Sequence, residues 1–70
     1  MNEVRPERML RMPAVLELVP LDKATIYRKI AAGEFPKPVR LGGNSVVWME
    51  SDIASWQQQL REKSQATLSR

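Results

Sequence analysis

Seventy residues, 43% of them hydrophobic and 27% charged, describe one small globular domain whose core must use nearly every apolar side chain it has. The absence of Cys and His removes the usual zinc ligands, thiol and imidazole catalysts and any disulfide staple, so no cofactor or metal is expected and a reducing, cytoplasmic setting fits. The longest apolar runs, such as Val46-Val47-Trp48-Met49, are too short to span a bilayer, and the first residues, with Glu3 and Glu7 among them, do not read as a signal peptide.

The net charge is only +3, but it is unevenly placed. From Lys23 to Trp48 the bases Lys23, Arg28, Lys29, Lys37 and Arg40 stand against Glu34 alone. From Met49 to Lys63 acids slightly outnumber bases. The middle of the chain therefore carries a positive field suited to a polyanion.

Residues 1–9 are polar and aperiodic and read as a flexible arm, and 64–70 read as a flexible tail. Between them, 10–63 form the folded unit. A first helix is expected from Pro13, a residue favoured at the first helical position, to the stop set by Pro20, with Val15, Leu18 and Val19 as its apolar stripe. A second helix starts after Asp22, an N-cap residue flanked by Leu21 and Ile26 at staple positions, and ends at Gly33, which suits a left-handed C-terminal cap. Two short helices joined by Pro20-Leu21-Asp22 form a helix-turn-helix candidate.

Two prolines in Phe35-Pro36-Lys37-Pro38 enforce an extended path. Val39-Arg40-Leu41, the turn Gly42-Gly43-Asn44-Ser45 and Val46-Val47-Trp48 then read as a short hairpin. Because an isolated hairpin is unstable in water, Val39, Leu41 and Trp48 are expected to find cover against helices. A third helix follows, capped by Glu50 or Ser51, with Ile53, Trp56 and Leu60 as its apolar stripe. The predicted fold is α+β and mostly α: helix, helix, two-stranded wing, helix.

On a wheel of about 100° per residue, Ile26 and Ile30 share the buried face of the second helix and Arg28 lies nearly opposite. Ala24 and Thr25 flank Arg28, while Tyr27 and Lys29 sit at the margins. Small residues that permit close approach, next to an Arg able to bond guanine O6 and N7, suit a helix lying in a major groove. Thr25 and Tyr27 offer hydroxyls to phosphates, and Lys23 or Lys29 offers charge. An exposed Arg on an amphipathic helix can also be merely solvated; the tight turn, the N-cap and the clustered charge favour nucleic acid. The tip Gly43, Asn44 and Ser45 can lie along a phosphate or serve as an ordinary surface turn. Phe35, Trp48 and Trp56 are needed as core. Catalysis finds no support: Glu50 and Asp52 fall on different faces near a helix start, and Gly42-Gly43 lacks the Lys-Ser/Thr of a phosphate-binding loop. The chain reads as a non-enzyme.

Three segments in order, Leu-Asp-Lys-Ala-Thr-Ile-Tyr-Arg (21–28), Gly-Glu-Phe-Pro-Lys-Pro-Val-Arg-Leu-Gly (33–42) and Trp-Met-Glu-Ser-Asp-Ile-Ala-Ser-Trp (48–56), resemble the AlpA-like phage and prophage regulators, relatives of excisionases and more distantly of the MerR-type winged helix. The resemblance covers roughly residues 10–60. It implies a winged helix-turn-helix that binds double-stranded DNA, with Thr25, Tyr27 and Arg28 in the contact segment. It implies either transcriptional control of mobile-element genes or action as a recombination directionality factor that bends attachment-site DNA beside an integrase or other recombination protein. The chain departs from the pattern at Asn44-Ser45, where such proteins often carry an Arg before the second strand, which shifts wing contacts to the backbone or Arg40. Pro20 stands where a Gly is common.

The DNA reading has two rivals: a protein-interaction adaptor on the same scaffold, and a small RNA binder, which lacks stacking aromatics on strands. One short recognition helix reads few base pairs, so self-association or cooperative binding is expected, with Gln58, Leu60 and Leu68 as candidate contacts. The protein is expected to associate with the nucleoid when bound.

Overall fold

The computed structural model describes residues 5–68, and side chains within α3 up to Gln65. The order of elements is β1 (Met9–Leu10), α1 (Met12–Leu18), α2 (Lys23–Ala31), β2 (Val39–Gly42), β3 (Ser45–Met49) and α3 (Glu50–Leu68). Three helices and a three-stranded antiparallel sheet make a mostly helical α+β fold of the winged-helix kind.

The sheet has one strand more than the sequence suggested. Its order is β1-β3-β2, and Met9 and Leu10, at the edge of the expected arm, pair with Met49 and Trp48 on β3. Glu7 and Arg8 also bond to the start of α3. At the other end α3 continues helical into the expected tail, to Leu68.

Alternate residues of a strand face opposite sides of the sheet. Trp48 and Val46, with Leu10 opposite Trp48, face the helices, and Leu10, Val15, Val19, Ile26, Phe35, Trp48 and Ile53 form one core cluster. Val47 is buried on the other side, opposite Val39.

Four expected core positions lie outside this cluster. Val39 is 41% exposed because it pairs with Val47 on the sheet face turned away from the helices, and Leu41 is 52% exposed because it occupies a bulge of the edge strand β2 between the pairs Arg40↔Val46 and Gly42↔Ser45. The helices cover β3 instead. Leu18 is 49% exposed, since α1 ends there and the neighbouring group of α3 is the polar amide of Gln57, which donates to the Leu18 carbonyl at 3.4 Å. Leu60 is 52% exposed because α3 has run past the core one turn after Trp56.

Both tryptophans hold the segment between α2 and β2. The buried Trp48 donates from Nε1 to the Pro36 carbonyl at 2.9 Å, and the half-buried Trp56 donates to the Glu34 carbonyl, also at 2.9 Å. Phe35 lies between them, edge-on to both rings at centroid separations of 6.5 Å and 4.8 Å. Burying aromatic edges against faces and giving each indole N–H an acceptor fixes this proline-rich crossover, which determines where the wing leaves the helical layer.

Candidate nucleic-acid interface

The second helix begins as its sequence dictates. Asp22, extended at φ −89° and ψ 169°, accepts the Thr25 N–H on Oδ1 at 3.1 Å, and the helix closes where Gly33 takes φ +75°. Ile26 is fully buried and Ile30 half-buried, which fixes the rotation of the helix about its axis. The opposite face is thereby turned outward.

On that outward face Lys23, Ala24, Tyr27 and Arg28 are exposed and Thr25 is half-buried. Arg28 donates from Nη2 to the Thr25 hydroxyl oxygen at 3.0 Å, one helical turn back. The Asp22 carboxyl is held below its usual range, first by the Thr25 side-chain hydroxyl, then by the Thr25 N–H, with the positive charge of Arg28 a smaller contribution. Asp22, Thr25 and Arg28 thus form one connected polar chain across the first turns of α2. The i, i+3 spacing of Thr25 and Arg28 is the signal for this contact in the sequence.

Lys29 points elsewhere. It is half-buried, its Nζ lies 3.7 Å from Oε1 of Glu34, and it borders a groove of about 560 Å³ between the end of α2 and α3 that Phe35 and Trp56 also line. Its charge is partly compensated by that carboxylate.

Within the wing, Lys37, Arg40, Gly43 and Asn44 are exposed and Ser45 is half-buried. Arg40 pairs with Val46, so it belongs to the sheet side on which the helices pack, beyond the part they cover. Gly43 and Asn44 make the two-residue connection between Gly42 and Ser45, and Gly43 takes φ +53°. A tip of this kind brings backbone N–H groups to the surface without a side chain in front of them. Lys23, Arg28, Lys37 and Arg40 are exposed cations, as is Arg8 near the start of β1. Arg8 was not expected as a folded residue; it lies 3.5 Å from Glu50.

Of the residues expected to support self-association, Gln58 donates to Glu62 at 3.2 Å within α3 and Leu60 is exposed, while the side chain of Leu68 lies outside the described residues. Among the described residues no group of three acidic, His or Cys side chains is placed to hold a metal ion, and no helix is long and apolar enough to cross a membrane.

Comparison with known proteins gives a consistent picture. The family model described as prophage CP4-57 regulatory protein (AlpA) matches residues 8–62. The chain is 44% identical over 54 residues to the uncharacterized protein ORF88 of Enterobacteria phage P4, an alignment that takes in 77% of this chain and 61% of that protein. It is 37% identical over 62 residues to the DNA-binding transcriptional activator AlpA of Escherichia coli (strain K12), covering 80% of this chain and 89% of that one.

Proposed function

Because the chain belongs to the AlpA family of prophage regulatory proteins, we propose that it is a sequence-specific regulator that binds duplex DNA, with α2 in the major groove and the wing on the neighbouring backbone. The observation that carries this reading is the outward face of α2. Ile26 is sunk in the core, so Ala24 and Arg28 stand exposed on the outward face of the helix. Ala24 permits close approach, and Arg28 supplies a planar fork for guanine O6 and N7.

Tyr27 and Lys23 contact phosphates beside the groove. Lys37, Arg40 and the backbone around Gly43, Asn44 and Ser45 hold the adjacent strand, so that charge sets affinity and Arg28 sets sequence. Lys29 adds long-range attraction only, being drawn toward Glu34. One helix of this length reads too few base pairs for a unique site, so the protein binds repeated half-sites cooperatively, with the exposed Leu60 surface of α3 as a contact between copies.

The test is selection from a random duplex pool, followed by affinity measurements on the selected and a scrambled duplex at two salt concentrations. Preference for the selected duplex together with steep weakening as salt rises supports the reading. Absence of binding to any duplex at low salt overturns it and directs attention to a protein partner.

A further inference from the structure

The polar chain on α2 suggests a role for Thr25 other than a phosphate contact. The Thr25 N–H is already bonded to Asp22, and the Thr25 hydroxyl oxygen receives the Arg28 guanidinium at 3.0 Å. Thr25 is half-buried while Arg28 is exposed. A long, exposed Arg side chain ordinarily samples many rotamers and must surrender that freedom when it meets a base. Here one N–H of its fork is already taken up by a hydroxyl on a branched side chain with little freedom of its own. The Thr25 backbone is in turn anchored on the N-cap carboxylate of Asp22, whose pKa is lowered by the Thr25 hydroxyl and N–H.

We propose that Thr25 is a specificity-determining positioning residue: anchored through its backbone on Asp22, it holds the Arg28 guanidinium through its hydroxyl in the orientation that reads a guanine. This rests on the reading of Arg28 as the base-contacting residue. Thr25 acts through Arg28 and touches no base itself. Loss of the hydroxyl frees the guanidinium to swing between the base edge and nearby phosphates, so the protein still binds DNA but discriminates less well. A site is precise only when the group that touches the ligand is held by a second one.

The experiment compares wild type, Thr25→Val, Thr25→Ser, Arg28→Ala and the Thr25→Val/Arg28→Ala double variant. The probes are the duplex selected from a random pool by wild type, a set in which each base pair of that duplex is changed in turn, and a scrambled duplex. Valine keeps the branched shape and the backbone N–H bonded to Asp22, so the fold is retained, as circular dichroism would verify. Arg28→Ala is expected to lose roughly 10- to 100-fold of preference at one G·C pair. Thr25→Val should lose about ten-fold at that same pair, with affinity for scrambled duplex unchanged, and Thr25→Ser should restore it. In the double variant the valine should have no further effect, because its only route is through Arg28.

Equal weakening on selected and scrambled duplex by Thr25→Val would make Thr25 a phosphate contact and overturn the proposal. So would a valine effect that persists without Arg28, or full discrimination in Thr25→Val while Arg28→Ala has lost it. If Arg28→Ala keeps the wild-type preference, or wild type prefers no duplex, the base-reading assignment itself fails and the proposal falls with it.

Discussion

Glu7 Oε1 accepts the backbone N–H of Ser51 at 3.0 Å, across 44 residues of sequence. The N-terminus of α3 is therefore capped by a residue from the segment preceding β1, and Arg8 reinforces the join by accepting the Glu50 N–H on its carbonyl oxygen at 3.0 Å. The first N–H groups of any helix lack partners within it, and an anionic acceptor there also meets the positive end of the helix dipole.

The bond from the Ser51 backbone, helped by the Ser51 side chain, holds the Glu7 carboxyl below its usual range. A depressed folded-state pKa stabilises the fold at pH values above the unfolded carboxylate's, and that contribution is lost as pH falls through the lowered value. Glu7→Gln should melt measurably below wild type at neutral pH, with the gap closing in acid. Thermal melts across the acid range provide the check, and a gap independent of pH would show that the charge of Glu7 does not matter.

Trp48 and Trp56 make the same kind of indole bond to neighbouring carbonyls, yet they should differ in worth. Trp48→Phe deletes ring volume from the fully buried centre and strands the Pro36 carbonyl, at a cost of about 2–4 kcal/mol. Trp56→Phe acts at a half-buried site where water can replace the donor, at about 1 kcal/mol. Urea unfolding of the two variants would rank them, and equal losses would contradict this account of the crossover.

At Gly33 a Cβ would meet nothing within 4 Å, so any penalty for Gly33→Ala comes from the positive φ of +75° alone. That predicts about 1 kcal/mol of destabilisation, with Gly33→Asn costing less because Asn tolerates the left-handed region better. Loss of the α2 cap should leave the affinity of the folded protein for DNA nearly unchanged.

If Lys23, Lys37 and Arg40 contact phosphates, each alanine substitution should weaken binding to selected and scrambled duplex alike. Each should also reduce the slope of log affinity against log salt by about 0.9. A substitution that instead changes preference between duplexes would move that residue from the backbone to a base edge.

The sequence determined most of α2 and its surroundings, because the signals there are local. Asp22 caps the turn that it begins, Gly33 ends the helix in the conformation that glycine permits, and Ile26 and Ile30 set the rotation that exposes Arg28. The family relationship was legible for the same reason, since its three segments are short and contiguous. Local pattern also located the hairpin, with its turn at Gly43-Asn44.

Only the tertiary structure decided which apolar residues were used. Val39, Leu41, Leu18 and Leu60 satisfy the periodicity of their elements but lie outside the core cluster, and periodicity records which residues share a face without recording what covers it. The third strand and the Glu7 cap were equally hidden. Two residues of strand carry no pattern, and an acceptor 44 positions away leaves no trace near the helix that it caps. Such contacts exist because folding brings distant unpaired backbone groups together, and that pairing is a property of the assembled chain.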